Sequence, residues 1–243
     1  MIKHLKRFFV FVTLTLIAIA FVVMAIPLCL LLFFGLSNLV SCTLNAAAGW
    51  WARLIIRMSR STVRITGVEN IPKKGPVCFV SNHSGIFDIV LCLAVIGRPF
   101  GFIAKKELAL IPFLNLWILL LGGFFIERES PRKALITLRK GTERIKKGGA
   151  MIIFPEGTRS KGRGLLPFKS GALKMAVESG APVVPIAITG SYDVFEKTGF
   201  IQAANVSISI GKAIEPDTAA GYNRQALAAL TYNAIEQMLN TVS

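Results

Sequence analysis

The longest apolar stretch of the chain lies near its N-terminus. Residues 8 to 52 contain no Asp, Glu, Lys or Arg and consist mostly of Leu, Ile, Val, Phe and Ala. About 20 apolar residues suffice to span a bilayer, so this pattern predicts a segment in or on a membrane. A secretory signal peptide is the alternative, because the opening MIKHLKR is typical of a basic n-region, but its apolar core would span only about 7–15 residues.

Basic residues flank this stretch on both sides. The flanking cations are Lys3, Lys6 and Arg7 before it and Arg53, Arg57 and Arg60 after it. Lys and Arg favour the cytoplasmic side of a membrane, and a single crossing would leave one flank on the wrong side. We therefore expect residues 1 to 60 to form a hydrophobic helical hairpin that anchors the protein to the inner (cytoplasmic) membrane. Its break is expected near Pro27 or within residues 35 to 41.

Beyond Arg60 the pattern changes to short apolar strands that alternate with helices. Strands are predicted within residues 62–72, 75–82, 100–108, 150–160, 181–190 and 205–214. Helices are predicted within residues 86–97, 130–149, 170–180 and 223–239. This alternation is typical of an α/β domain with a mostly parallel central sheet flanked by helices. We assign residues 61 to 243 to that domain.

One further apolar stretch, residues 108 to 126, carries no charge and is long enough to be a second transmembrane helix. Pro112, Asn115 and the Gly122–Gly123 pair interrupt it. A crossing here would also place the polar loops before and after it on opposite sides of the membrane. The stretch is therefore interpreted as a buried helix followed by a strand, lining a groove for an acyl chain.

The charge balance narrows the choice of partners. With 28 basic and 13 acidic residues, the net charge is +15. This excess would suit nucleic acid, anionic lipid headgroups or acidic soluble substrates, and beside a membrane segment it favours anionic lipid headgroups. No nucleic-acid-binding motif accompanies the charge, so no nucleic acid partner is expected. Neither the spacing of the cysteines nor a cluster of carboxylates near a histidine indicates a metal site in this sequence.

Candidate chemistry begins in VSNHSGIFDIV, residues 80 to 90. His83 is expected in the turn after a strand, and Asp88 in the first turn of the next helix. In that geometry the carboxylate can fold back onto the imidazole and fix its tautomer, which leaves Nε2 free to accept a proton. Taken alone, this spacing is also typical of a turn residue followed by a helix-start carboxylate.

Other polar residues follow the predicted strands in the same way. After residues 150 to 154 come Glu156, Gly157, Thr158 and Arg159, where Gly157 permits close backbone approach and Arg159 offers a fork suited to phosphate. Lys105 and Lys106 leave another strand, and Arg128 follows a third apolar run. Ligands of α/β folds bind at such strand ends, so these residues are candidates for an anion site.

Four stretches in this order resemble the glycerolipid acyltransferase family, the lysophosphatidate acyltransferases in particular, over about residues 60 to 215. They are NHSGIFD (82–88), KKELALIPF with GGFFIER (105–113 and 122–128), FPEGTRS (154–160) and VVPIAI (183–188). The sequence departs from the family pattern twice: Gly85 stands where Ser is usual, and Asn115 where Gly is common.

The resemblance implies an O-acyltransferase that moves an acyl group from acyl-CoA or acyl carrier protein to the sn-2 hydroxyl of 1-acylglycerol 3-phosphate. The product would be phosphatidic acid, and no cofactor beyond the thioester would be needed. His83 and Asp88 would be the catalytic dyad, and Pro185 would mark the block that supports the acyl pocket. The acceptor-binding residues implied are Lys105, Arg128 and Arg159, which hold the phosphate, and Glu156, Gly157 and Thr158, which shape the site.

Three alternatives stay open at the level of sequence. In the first, the protein is an acyltransferase with another acceptor, which is glycerol 3-phosphate, a lyso-ornithine lipid or another lysolipid. A serine hydrolase would need a nucleophile elbow, but the chain has no G-x-S-x-G, and Ser84 adjoins His83 on the wrong side of a tight turn. A non-catalytic membrane protein would use the same cations only to bind anionic lipid.

Overall fold

A computed structural model of the chain describes residues 37 to 112, 114 to 215 and 223 to 242. The first limb of the expected N-terminal hairpin and its possible break at Pro27 lie outside these residues. The second limb is described and forms one continuous helix. The remaining described residues form the α/β domain.

The sheet has seven described strands. They are β1 (Thr62–Thr66), β2 (Val77–Ser81), β3 (Gly101–Lys105), β4 (Phe124–Ile126), β5 (Ala150–Ile153), β6 (Val183–Thr189) and β7 (Asn205–Ile210). Their order across the sheet is β1-β7-β6-β2-β5-β3-β4. Only the β6–β7 pair is antiparallel, and the other five pairs are parallel. The expected α/β fold with a mostly parallel sheet is confirmed.

Helices cover both faces of this sheet. The described helices are α1 (Ser37–Ser59), α2 (Phe87–Val95), α3 (Leu114–Leu120), α4 (Pro131–Lys146), α5 (Lys174–Ser179), α6 (Ser191–Val194) and α7 (Arg224–Val242). The short α6 falls in a region where the sequence pattern predicts no element. Helix α4 begins as expected, with Pro131 at its first position and the Ser130 hydroxyl accepting a hydrogen bond from the Lys133 amide.

The core lies in two layers, one on each face of the sheet. Phe79 of β2 packs in the layer that contains Leu91 of α2, whereas its neighbours Cys78 and Val80 pack in the layer that contains Ile145 of α4. Successive side chains of a strand point to opposite faces, so a strand covered on both sides must be apolar throughout. Strands β2 and β5 accordingly have no exposed residue.

Helix α1 is buried along one face and exposed along the other. Its buried residues with apolar side chains recur every four positions, which is helical spacing, and are Val40, Leu44, Ala48 and Ala52. Elsewhere along its length the helix exposes the large apolar residues Leu39, Trp50, Trp51, Leu54 and Met58. Leu39–Ser59 is long and apolar enough to cross a membrane, yet a third of this stretch (33%) is buried against the domain. The helix is therefore a candidate anchor that attaches to the domain along one side.

The expectation for residues 108 to 126 is half right. A helix, α3, is followed by a strand, β4, as predicted. The helix is not buried, however: only Ile118 is inside, and Leu110 just before it is 83% exposed. The physical reason is that Trp117 and Leu121 pack against Val40 and Leu44 of α1, while no described residue covers the outer side of α3. That the segment lines an acyl-chain groove stays a prediction.

These exposed faces predict where the protein meets the bilayer. The chain has three tryptophans, two on the exposed side of α1 and Trp117 of α3, which is half-buried. In a Trp117→Phe variant, lipids brominated near the headgroup should quench most of the tryptophan emission, because Trp and Tyr favour the membrane interface. The control is Trp50→Phe/Trp51→Phe, which keeps only Trp117 and should be quenched less. Equal quenching in the two variants would contradict attachment through this face of α1.

Candidate active site

The polar loops predicted to form a site come from neighbouring strands of the sheet. Strands β2 and β5 pair in parallel, with Val80 opposite Ile153. Their carboxyl ends therefore lie side by side, and the loops that follow, from Asn82 and from Phe154, share one edge of the sheet. This pairing brings the first and third sequence blocks together although they are some 70 residues apart.

The structure places Asp88 against His83 as the spacing predicts. The imidazole Nδ1 lies 2.7 Å from Asp88 Oδ2, with Asp88 fully buried and the imidazole 15% exposed. The same Oδ2 accepts hydrogen bonds from the amides of Ser84 at 2.8 Å and Gly85 at 3.0 Å. Three donors thus converge on one oxygen at the start of α2. With Nδ1–H donating to Asp88, Nε2 is the ring atom left to exchange a proton.

Neighbouring residues hold the imidazole from several sides. The His83 ring stacks on Phe154, with ring centroids 4.2 Å apart. The side-chain amide of the buried Asn82 pairs with both backbone groups of Ile188, each bond 2.8 Å long. The carbonyl oxygen of His83 accepts from the Ser160 amide at 2.7 Å. Residues 82 and 83 are therefore hydrogen-bonded to strand β6 and to the loop that follows β5.

Glu156 lies beneath this loop. It is 3% exposed, its Oε1 accepts from the His83 amide at 2.6 Å, and its Oε2 accepts from the Leu166 amide at 3.3 Å. Burial raises the pKa of Glu156 to about 7, aided by the charge of Asp88, although the two amide hydrogen bonds act in the opposite direction. Glu156 thus shapes the site by bracing the histidine loop.

Two arginines lie at the mouth of the site. Arg128 donates through Nη1 to the carbonyl oxygen of Gly157, a residue with φ of +69°. Burial lowers the pKa of Arg128, and the nearby charge of Arg159 lowers it further, while Glu107 opposes both. Arg159 itself forms an ion pair with Glu196, and Thr158 beside it is exposed.

Lysines at the end of β3 complete the basic set. Lys105 pairs with Glu107 at 3.1 Å. Lys106 pairs with Glu127 at 3.4 Å and with Glu129 at 3.6 Å. Lys105 lies opposite Ile126 in the parallel β3–β4 pair, and Arg128 comes just after the end of β4, so the lysine and arginine parts of the predicted anion site leave the same edge of the sheet. Pro185, in contrast, is buried within β6.

Several contacts of the site carry no signal in the sequence pattern. Asn82 and Phe154 belong to the motifs, but their roles as a strand clamp and a stacking partner depend on the fold. Glu196 follows α6 and reaches the site from more than 100 residues away, with its Oε2 accepting from the Ile86 amide. Only the strand order brings it there.

The chain is similar to known acyltransferases. Residues 62–189 match the family described as Acyltransferase. The 1-acyl-sn-glycerol-3-phosphate acyltransferase of Borreliella burgdorferi is 31% identical over 179 residues, which are 73% of this chain and 72% of that protein. The corresponding protein of Saccharomyces cerevisiae is 30% identical over 222 residues, 86% of this chain and 72% of its own.

A solved structure shares the fold. The crystal structure of the 1-acyl-sn-glycerophosphate acyltransferase PlsC from Thermotoga maritima superposes with a TM-score of 0.69 and 27% sequence identity. The superposition covers 93% of this chain and 97% of that one.

The raised pKa of Glu156 predicts a pH-dependent stability. The folded protein keeps this carboxyl protonated up to about pH 7, whereas the unfolded chain loses the proton near its ordinary value of 4.5. The contribution of Glu156 is therefore present below pH 4.5 and lost as the pH rises through 7. Glu156→Gln stays neutral, so its free energy of unfolding should rise relative to wild type from pH 5 to pH 8, by about 2 kcal/mol. Urea titrations in mild detergent measure this difference.

The exposed substitution Glu143→Gln removes a carboxyl away from the site and is the control for this comparison. A difference between Glu156→Gln and wild type that stays constant from pH 5 to pH 8 would contradict the raised pKa.

Proposed function

The chain belongs to the acyltransferase family, and we propose that it transfers an acyl group from a thioester to the sn-2 hydroxyl of 1-acylglycerol 3-phosphate, forming phosphatidic acid for phospholipid biosynthesis. The observation that carries this proposal is the 2.7 Å contact between His83 Nδ1 and Asp88 Oδ2, beside a loop that presents Arg159. A base and an anion site on the same edge of the sheet suit a hydroxyl acceptor that carries a phosphate.

His83 acts as the general base in this reaction. Its Nε2 takes the proton of the acceptor hydroxyl while Asp88, bonded to Nδ1–H, stabilises the imidazolium that forms. The acceptor oxygen attacks the thioester carbonyl carbon and gives a tetrahedral intermediate. When that intermediate collapses, the carbon–sulfur bond breaks and the imidazolium returns its proton to the departing thiolate. The base is thereby regenerated, and no covalent enzyme intermediate is required.

The carbonyl oxygen of the donor needs hydrogen-bond donors as it gains charge. The amides at the start of α2 are natural candidates, but three of them are engaged: Ser84 and Gly85 donate to Asp88, and Ile86 donates to Glu196. These amides serve the dyad and the loop beside it. The donors to the oxyanion must therefore be amides or side chains other than these three.

Arg128, Arg159 and Lys105 bind the acceptor phosphate in this proposal. A guanidinium presents several N–H donors in one plane, which suits two phosphate oxygens at once. Gly157, with its positive φ, keeps side-chain bulk away from the same loop. Thr158 offers an exposed hydroxyl next to Arg159. Glu156 stays beneath the loop and does not touch the acceptor.

The acyl donor is acyl-CoA or acyl carrier protein, both of which carry the acyl group as a thioester, so no cofactor enters the mechanism. Lysophosphatidate resides in membranes, which suits the apolar outer face of α1 with its basic residues Arg53 and Arg57. Lys and Arg favour the cytoplasmic side of a membrane, which supports attachment of this face to the cytoplasmic leaflet of the inner membrane with the site facing the cytoplasm. The basic helix α4 suits an acidic carrier protein or anionic lipid.

Transfer of a labelled acyl group to lysophosphatidate by purified protein tests the proposal. Both CoA and carrier-protein thioesters are offered, and 1-acylglycerol serves as the acceptor without phosphate. His83→Ala should lower the rate by about 10²–10⁴-fold, because it removes the base. Asp88→Asn should also lower it strongly, because the asparagine no longer fixes the tautomer or stabilises the imidazolium. His4→Ala, which removes the other histidine of the chain, is the matched control.

Each other outcome has its own meaning. Full activity of folded, membrane-bound His83→Ala would rule out this base. Transfer by wild type to another lysolipid but not to lysophosphatidate would make the acceptor assignment wrong. Lipid binding without transfer to any acceptor would identify a non-catalytic lipid-binding protein.

A further inference from the structure

A carboxylate from the second half of the chain bridges two parts of the site. Glu196 follows α6 and is only 15% exposed. Its Oε2 accepts a hydrogen bond from the Ile86 amide at 2.8 Å, at the start of α2. Its Oε1 forms an ion pair with Nη1 of Arg159. One side chain therefore connects the helix that carries Asp88 with the proposed phosphate-binding arginine.

This bridge depends on the absence of a side chain at residue 85. A Cβ built on Gly85 would overlap Oε2 of Glu196 and lie 3.2 Å from Cα of Tyr192. The backbone of Gly85 is not left-handed, so another residue could adopt its conformation. Glycine at residue 85 thus permits a close approach, and the group it admits is the Glu196 carboxylate.

Backbone hydrogen bonds already join the loops that surround the bridge. The Ser160 amide donates to the His83 carbonyl at 2.7 Å, and the Lys161 amide to the Ser84 carbonyl at 3.2 Å. These bonds fix the backbone of the loop but not the long side chain of Arg159. Among the described residues, the guanidinium has no hydrogen-bond partner other than Glu196, and the side chain is 44% exposed.

We propose that Glu196 is a positioning residue, which holds the Arg159 guanidinium at a fixed distance from His83 so that the phosphate and the reacting hydroxyl of one acceptor fit both. This inference rests on the proposed function. A free arginine side chain has many rotamers, and fixing one of them on binding costs conformational entropy. If the side chain is ordered before the acceptor arrives, the binding step no longer carries this entropic cost. Glu196 engages only Nη1, so the remaining N–H groups of the guanidinium stay available to phosphate.

The way in which Glu196 is anchored indicates that it positions Arg159 and does not compete with the phosphate for that arginine. A carboxylate that merely filled an empty anion site would leave when phosphate bound. Glu196 is instead held by the Ile86 amide at the positive end of α2, in a space that Gly85 keeps open. It is therefore expected to stay in place and to share Arg159 with the phosphate.

Glu196→Gln tests this role, because it removes the charge and keeps an oxygen for the Ile86 amide. With lysophosphatidate as the varied acceptor, kcat/KM should fall about 10–100-fold, the scale expected when a bound group is misplaced by about 1 Å. The KM of the thioester donor should not change. Transfer to 1-acylglycerol, which has no phosphate for Arg159 to bind, should equal that of wild type.

Asp193→Asn is the matched control, because it removes a carboxylate that pairs with Lys197 on the same turn, outside the site. It should leave kcat/KM for lysophosphatidate, the KM of the thioester donor and the transfer to 1-acylglycerol unchanged. A lower acceptor KM in Glu196→Gln would mean that Glu196 competes with phosphate and would overturn the proposal. An unchanged kcat/KM would overturn it too. If wild type transfers nothing to lysophosphatidate, the proposed function fails first and this inference fails with it.

A double-mutant cycle gives a second, independent test. Gly85→Ala should displace the carboxylate and lower kcat/KM for lysophosphatidate much as Glu196→Ala does. Because the added methyl group meets Glu196 first, the double variant Gly85→Ala/Glu196→Ala should be no worse than the poorer single variant. Losses that multiply in the double variant would show that the two residues act separately, against the proposal. Circular dichroism confirms that each variant is folded.

Discussion

The buried carboxylate of Asp88 fixes the geometry on which the rest of the site depends. An ionised group with no exposed surface needs hydrogen-bond donors, and the structure supplies three, from the His83 imidazole and the amides of Ser84 and Gly85. All three converge on Oδ2, while Oδ1 has no partner among the described residues. The donors reach Oδ2 only if residues 83 to 85 fold back over the start of α2. The same hydrogen bonds therefore determine both the shape of this turn and the orientation of the imidazole.

The parallel sheet then aligns the other components with this turn. Strands β2 and β5 are adjacent and point the same way, so the loop containing Glu156 emerges next to the loop containing His83. Glu156 joins the two by accepting the His83 amide. Strand β6 lies on the other side of β2, and Asn82 binds its backbone at Ile188. The loop that carries the imidazole is held between two strands.

Three of the cations around the site are paired with carboxylates. Lys105 contacts Glu107, Lys106 contacts Glu127 and Arg159 contacts Glu196, whereas Arg128 donates to the carbonyl oxygen of Gly157. Such pairing fixes side chains in direction, and exposed pairs of this kind contribute little to folding stability. An acceptor phosphate would meet cations that are already oriented. The departure from the family pattern at Gly85 has a physical explanation in the same terms, because a side chain there would exclude the carboxylate that orients Arg159.

The sequence alone determined the fold class and the pairing of His83 with Asp88. Alternating strands and helices predict a parallel sheet, and a contact across five residues follows from the local geometry of a strand, a turn and a helix start. The exposure of α3, the bracing of His83 by Glu156 and the bridge from Glu196 were decided only by the tertiary structure. The contacts of Glu156 and Glu196 join residues between 37 and 110 positions apart, and the order of strands in the sheet decides which of them meet. Local patterns carry no information about that order, because the same alternation of elements is compatible with several arrangements.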